Sequence, residues 1–438
     1  MRIGYLSPFK PLKSGISDFS EELVLALKKY LEIVIFSSVK PQNQEITQNF
    51  EIHKIQELNQ KALRESLDLI VYHVGNNKKY HGEIVDMLCK YPGILELHDF
   101  GLHHLAAEKY FVEKGADSYL REVYYCHGEY GKRIAKDFLE GKGRPPWETH
   151  SLDLCMNRRY IESASAIILH SEAAKQMTLG FREDVPVTKI LLHSEILPDI
   201  NSWKDHCRAK LKINPNKSFV MGSFGFATTA KRIIPILEAL RKYKDTVSSD
   251  FLYFIVGEPQ KELHLLEEIA SRKLENNVEV TGFVDLDKFK TYMGACDFCL
   301  NLRYPTQGES SASLHRMFGM GKPAIVTDIG TFSDYPDDIV IKVRYDEHEE
   351  NDIYSAIQFL TLTKNELWRR SEAALKYAKK YCDLEKNAQR YVEFFHQVHD
   401  HIWQPEHEDI LIGKLCELGL TDENYTKHIY EEITFKKD

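Results

Sequence analysis

The chain lacks what a membrane span, a nucleic-acid interface or a disulfide scaffold would need. No apolar run approaches the ~20 residues that a helix requires to cross a bilayer. Acidic residues outnumber basic ones, 66 to 57, and the formal charge of −9 argues against a general affinity for nucleic acid. A local basic cleft for a small phosphorylated ligand stays open. Cysteine is sparse and scattered, eight in all. Its one C-x-x-C, Cys296 and Cys299, lies in an apolar run with no second pair nearby, and reads as core rather than zinc or redox chemistry. Internal repeats and low-complexity tracts are missing. No G-x-G-x-x-G follows a strand with an acid downstream, which disfavours a dehydrogenase. The opening MRIGYLSPF is strand-like rather than a secretory leader. A cytoplasmic location is the expectation, with peripheral contact at the inner face of the cell membrane left open.

What is present is the composition of a globular protein, 43% hydrophobic and 28% charged over 438 residues, long enough for two domains. The first half alternates strands and helices, with strands expected at 2–7, 33–36, 67–73, 93–98, 164–170 and 188–193. Helices are expected at 17–30 and 83–91. Runs of Ile, Val and Leu without polar alternation suit parallel strands covered on both faces. A helical, aromatic and charged insertion occupies roughly 105–161. Near 203–217 the composition turns charged and the pattern restarts, with strands at 218–224, 251–256, 278–281, 298–302, 324–327 and 339–342. A helix is expected at 231–243 and a long one after 257. Helices at 351–360, 364–382 and 384–403 close the chain. The fold class is therefore α/β, two facing Rossmann-like domains at 1–205 and 206–385. Residues 386–438 are expected to be C-terminal helices and an acidic tail crossing back to the first domain.

Ligands of open parallel sheets bind beyond the carboxyl ends of the strands. The polar, non-core residues cluster there. In the stretch from Cys296 to Asp328, a strand, a glycine-bearing loop, a helix and a second strand make one βαβ unit. Glu309, Ser310 and Ser311 fall at the first turn of its helix, where free amides and the helix dipole favour an anion; either serine could equally be a simple cap. After the first strand, Lys13 and Gly15 precede a helix. His73, Gly75, Asn76 and Asn77 follow another strand, and His98, Asp99 and His103 the next. Metal is a rival for so many histidines, but no H-x-x-x-H carries an acid at ligand spacing. In the second half, Gly222–Arg232 (GSFGFATTAKR) ends a strand and opens a helix, with Lys231 and Arg232 suited to a diphosphate. Gly257, Gly282, Phe283 and Val284 lie in further strand-end loops, the last three able to offer backbone groups to a base ring. Arg303 and Glu309 complete the wall.

Jointly, the segments SPFKPLKSGISDFSEEL, YHVGNN, ELHDFGLHH, GSFGFATTAKR, VTGFVD and RYPTQGESSASLHRMFGMGKPAIVTDIGTFSDYP resemble the GT-B glycosyltransferases, specifically the retaining family 4 (group 1). The resemblance covers residues 1 to about 400. It implies a hexosyltransferase that moves a sugar from a nucleotide-diphosphate donor with retained anomeric configuration, with no cofactor and no bound metal. GDP-mannose and UDP-hexoses are both admissible donors, and the acceptor would be a glycan or a lipid-linked glycan in cell-surface polysaccharide or glycoconjugate synthesis. His98 would position the donor sugar, Lys231 meet the diphosphate and Glu309 hold sugar hydroxyls. Donor binding would also involve Gly15, Ile16, Phe226, Arg232, Gly257, Gly282, Phe283, Val284, Arg303, Ser310, Ser311, Ser313 and Arg316. The acceptor side would involve Lys13, His73, Asn76, Asn77, Asp99 and His103. Lys132, Arg133, Lys136, Lys142, Arg144 and Trp147 of the insertion form either a solvated face or a contact to anionic lipid.

Two departures from the family pattern stand out. The arginine usually five positions before the basic residue falls on Phe226, so Arg232 or Arg303 would replace it. The two acids of the E-x7-E pattern fall on Gly308 and Arg316, with Glu309 one place off, which leaves the ribose contact open. The altered acids keep a rival in play, a catalytically silent sugar-nucleotide-binding protein. An epimerase or phosphorylase-like enzyme on the same scaffold is the other alternative.

Overall fold

The computed structural model describes residues 1–214 and 219–402. Met1–Tyr391 forms one compact unit and Val392–Asp438 a second, of which the described part continues the helix Leu384–Ile402. The expected strand start at 218, the helix end at 403 and the tail 404–438 lie outside the described residues.

Two all-parallel sheets organise the first unit. The first contains β1 (Arg2–Leu6), β2 (Glu32–Ser37), β3 (Glu51–Lys54), β4 (Leu69–Val74), β5 (Ile94–Leu97), β6 (Ala166–Leu169) and β7 (Val187–Lys189), in the spatial order β3-β2-β1-β4-β5-β6-β7. The second contains β8 (Phe219–Phe224), β9 (Phe251–Val256), β10 (Val278–Gly282), β11 (Phe298–Asn301), β12 (Ala324–Thr327) and β13 (Val340–Val343), in the order β10-β9-β8-β11-β12-β13. In each sheet the chain winds outward from its first strand, then returns to pair the fourth strand on the other side. The order therefore reverses between β1 and β4 and between β8 and β11, where strand-end loops splay apart and leave a crevice.

Central strands such as β5, β6, β11 and β12 are buried at every position and mostly apolar, with Glu96, Asn301 and Thr327 the polar residues among them, as strands covered on both faces are. Cys296 and Cys299 are buried free thiols, as core cysteines should be. The insertion carries its own small core of Ala106, Tyr119, Val123, Cys126, Ala135 and Met156 around the helix Ala116–Leu139.

Four local readings are corrected. β3 was not anticipated, because E-I-H-K is a four-residue edge strand with half-exposed positions and no apolar run. The first helix starts at Gly15 rather than 17, since the Ser14 side chain accepts the Ile16 N–H and caps it there. The helix expected from 231 starts at Ile233 (Ile233–Thr246), because Thr229–Lys231 is a 3-10 turn and Arg232 is left-handed at φ 56. The long helix expected after Gly257 is a 3-10 turn, Lys261–Leu263, and a short helix, Leu265–Ser271, interrupted by left-handed His264.

Candidate active site

On the rim of the first sheet, three loops converge. Gly15 opens its helix with free space where a Cβ would stand, so its amide is approachable. At Gly75 a Cβ would lie 2.7 Å from Ile16 Cδ1 and 3.1 Å from Asp99 Oδ2, so the side chains of the loops after β1 and β5 close directly over this residue. Asn76 is the knot between them. Its backbone N–H donates to Asp99 Oδ2 (2.7 Å), and its Oδ1 accepts from Leu105 N (3.0 Å). Its Nδ2 donates to Gln307 Oε1 (3.3 Å) on the other sheet's rim. Burial pushes the Asp99 carboxyl up to about 6, with nearby Glu309 adding to the rise against the Asn76 N–H and Arg303.

On the rim of the second sheet, Lys231 is 8% exposed and its ammonium donates to the Phe224 carbonyl. Burial holds its pKa well below the usual lysine value, and Arg303 lowers it further while Glu309 opposes. Arg303 pairs with Glu309 (2.9 Å), whose other oxygen accepts from Thr306 Oγ1 and Gln307 N, both at 2.7 Å. Ser311 is the cap of the helix Ala312–Gly319: its Oγ accepts from Leu314 N, donates to Asn301 Oδ1 and contacts Ser313 Oγ. Ser310 is half-buried and has no such duty among the described hydrogen bonds. Phe226 and Phe283 stand exposed at 56% and 57%, and the Lys13 ammonium sits 5.0 Å from the Phe283 ring centroid. Glu258 accepts the Phe283 N–H, and Val284 packs partly buried against the core. Gly257 and Gly282 both take positive φ at the ends of β9 and β10.

Several candidate residues are spent elsewhere. Arg232 Nε donates to Glu349 (2.9 Å), so its charge is matched, as that of Arg303 is by Glu309; of the two, Arg303 is the one whose charge acts on Lys231. His103 is buried in the insertion, with Nε2 2.7 Å from Tyr119 OH, and burial pushes its pKa down to about 3; it does not reach the rim. His73 is fully buried beneath the rim, whereas His98 retains 8% exposure. Asn77 is exposed at the start of the helix Lys78–Lys90 without a side-chain cap bond. The basic residues of the insertion are paired: Lys132 with Glu129, Lys136 and Lys142 with Glu140, and Arg144 with Glu148. Arg133 lies over the Tyr130 ring, and Trp147 packs on Phe138 and His103. That is the pattern of a solvated ion-paired face.

The two altered positions of the E-x7-E pattern acquire physical reasons. Gly308 takes φ 68, and a Cβ there would lie 2.8 Å from Phe100 Cβ, so a glutamate does not fit. Arg316 instead bridges the two sheets' helices, Nη2 to Glu22 Oε1 at 3.0 Å, while His193 Nε2 donates to Glu22 Oε2 at 2.9 Å. Glu22 was not singled out in the sequence, nor were His193, Gln307, Glu349, Glu96 and His170; all but Gln307 are ordinary charged or polar helix and strand residues there.

Burial would raise the Glu22 pKa, but the His193 hydrogen bond and the Arg316 charge outweigh it and lower it to about 2. Burial, opposed by Glu22, keeps His193 below its usual pKa, so we read the pair as a neutral imidazole donating to a carboxylate whose charge is met by Arg316. A depressed carboxyl stabilises the fold above its unfolded pKa, near 4.5, and loses that contribution as pH falls through about 2. Glu22→Gln is therefore expected to flatten the decline of Tm between pH 4.5 and 2 while changing the shape of the curve little above pH 6. An unchanged acid limb would contradict this assignment.

Two Rossmann-like parallel sheets whose strand-end loops meet in this way constitute the GT-B fold. Residues 205–380 match the family model for glycosyl transferases group 1. Anabaena Alr3699/HepE in complex with UDP is similar in structure at 16% identity, with a TM-score of 0.63, 91% of this chain covered and 100% of that one. Sucrose-phosphate synthase from Thermosynechococcus elongatus aligns at 12% identity and a TM-score of 0.65, covering 92% and 100%. WaaG, a glycosyltransferase involved in lipopolysaccharide biosynthesis, aligns at 14% identity and a TM-score of 0.57, covering 90% and 99%. By sequence, no curated protein matches significantly. No helix among the described residues is long and apolar enough to cross a membrane.

Proposed function

We propose that the protein is a retaining glycosyltransferase that moves a hexose from a nucleoside-diphosphate sugar to a glycan or lipid-linked acceptor. The observation that carries this reading is the buried, desolvated Lys231 at the end of β8, with Arg303 and Glu309 beside it, opposite the loops of the first sheet. Such an ammonium lacks a counter-charge of its own among the described residues. A departing diphosphate would supply one.

In the proposed step, the bond between the anomeric carbon and the diphosphate oxygen breaks, and its electron pair leaves with the phosphate. The acceptor hydroxyl attacks the same face of the sugar, and its proton passes to the leaving phosphate oxygen. Lys231 and Arg303, with the amides of Gly15, Ser310 and Ser311, would stabilise the developing charge in a site of low dielectric. This arrangement asks for no added divalent cation at the diphosphate. His98 at the end of β5 would position the donor sugar, and Glu309 would hold its hydroxyls once released from Thr306 or Gln307. Asn76, Asp99 and Lys13 would meet the acceptor, and the Asn76–Gln307 clasp would keep the rims closed against water. Phe226, Phe283 and the neighbouring amides of Gly257, Gly282 and Val284 would line the nucleotide's place.

The test is acceptor-dependent release of nucleoside diphosphate without added divalent ions, with the product anomer followed by NMR. UDP-glucose is the first donor to try, since Alr3699/HepE is solved with it, and GDP-mannose the second. Release with a retained anomeric centre supports the proposal. An inverted product would overturn the stereochemical part. Tight nucleotide binding without turnover across a panel of donors and acceptors would favour the silent binding protein.

A further inference from the structure

Beneath the rim of the first sheet lies a cluster of side chains of which the proposed sugar transfer uses His98 alone. His73 comes from the end of β4, Glu96 from β5, His98 from just after it and His170 from just after β6. Three adjacent parallel strands thus deliver four ligand-type groups to one point. His73, Glu96, His98 and His170 are 0%, 0%, 8% and 2% exposed. One ligand atom from each of His73, Glu96 and His98 lies within 4.8 Å of the others.

Apart from the His73–His98 contact, the spacings are poor for hydrogen bonds and good for something else. His73 Nδ1 is 3.4 Å from Glu96 Oε2 and 3.2 Å from His98 Nε2. His98 Nε2 is 3.7 Å and His170 Nε2 3.5 Å from Glu96 Oε1. Nitrogen–oxygen bonds of neutral groups fall near ~2.9 Å, and contacts at ~3.6 Å scarcely count. Ligand atoms held tetrahedrally at ~2.0–2.1 Å from a zinc-type ion stand about 3.3 Å apart, the edge of the tetrahedron.

The tautomers point the same way. His170 Nδ1 donates to the Ile190 carbonyl (2.7 Å), which leaves a lone pair on Nε2 facing a carboxylate oxygen that already accepts from Tyr391 OH (2.8 Å). Two electron pairs opposed in a dry interior are repulsive unless a metal ion or a proton stands between them. His170 Nε2, His73 Nε2 and Glu96 Oε2 have no hydrogen-bond partner among the described residues. A ring N–H donated to a backbone carbonyl, as at His170, is the usual support of a metal-binding imidazole.

We propose that His73, Glu96 and His98 ligate one zinc-type divalent ion, with His170 facing Glu96 beside it. The three ligands are buried beneath the rim, so the ion is structural. It ties β4 to β5 and acts on no substrate. Ligation through Nε2 also leaves the His98 proton on Nδ1, which sets the tautomer of the one cluster member that reaches the rim. The proposal stands apart from sugar transfer, because its readout is metal content.

The test uses the full chain, without a histidine tag, unfolded in chelator, refolded with Zn(II) or Co(II), and desalted. About one equivalent of zinc per chain is expected, together with the intense visible d–d absorption of tetrahedral Co(II). In Glu96→Gln, which keeps the volume, and in His73→Ala, bound metal should fall at least tenfold. If a variant does not refold, the wild-type Co(II) spectrum still decides: an octahedral, weakly absorbing spectrum or less than a tenth of an equivalent overturns the proposal. So does full metal retention in folded Glu96→Gln.

Discussion

Lys231→Ala is expected to lower turnover by about 10²–10³-fold, the usual effect of removing one preorganised group that meets developing charge. The reason lies in which positive charges are already neutralised. Arg232 is paired with Glu349 and Arg303 with Glu309, whereas the Lys231 ammonium faces only the Phe224 carbonyl among its described hydrogen-bond partners. It is also the most deeply desolvated of the three, so its field at the leaving group is the least screened. The loss should appear in kcat rather than in the KM for acceptor, because charge develops on the diphosphate only as the bond breaks. Lys231→Arg should not restore the rate. A planar guanidinium carries its charge in a different geometry from the compact ammonium and does not reproduce its point charge at the diphosphate. Nucleoside diphosphate release under saturating donor measures the effect, and full turnover in Lys231→Ala would remove Lys231 from the diphosphate.

The second large effect is expected from a substitution that brings the sequence closer to the E-x7-E pattern it resembles. Gly308→Glu restores an acid at the first E-x7-E position, and it should reduce both Tm and turnover. A non-glycine residue at φ 68 costs about 1–3 kcal/mol. The new Cβ would also press on Phe100 and Leu152, 2.8 and 3.2 Å from its position. That strain falls on the loop whose Gln307 carbonyl accepts from Gly101 N (2.6 Å), whose Gln307 side chain meets Asn76 and whose Thr306 carbonyl accepts from Ser151 Oγ. Displacing those contacts by about 1 Å is worth up to ~10²-fold in rate. Thermal unfolding and donor turnover check the two parts separately. A Gly308→Glu protein as stable and active as the wild type would show that Glu309 is not held in place by this loop.

The general plan was legible because it rests on local signals. Buried parallel strands read as unbroken apolar runs, and glycine-bearing loops mark their carboxyl ends, so both sheets and most of the rim could be placed. Edge strand β3 escaped because two of its four residues are charged and it is buried on neither face. What the sequence could not show were pairings across the fold. Arg232 and Glu349 are 117 positions apart, and Arg316 and Glu22 are 294 apart, so nothing local reveals that these charges are matched. Histidine is the other blind spot. His98 reaches the rim, His73 lies beneath it and His103 is locked on Tyr119, yet all three follow strand ends in polar company. Their burial is decided by the inserted helices and by β6, which no local pattern near them announces.

The most direct measurement is a structure of the protein with a bound UDP-hexose or UDP. The diphosphate is expected between the two sheets' strand ends, within hydrogen-bond reach of Lys231 Nζ and of the amides that open the helix at Ser310–Ser311. A diphosphate bound elsewhere, with Lys231 still turned to the Phe224 carbonyl, would contradict the account.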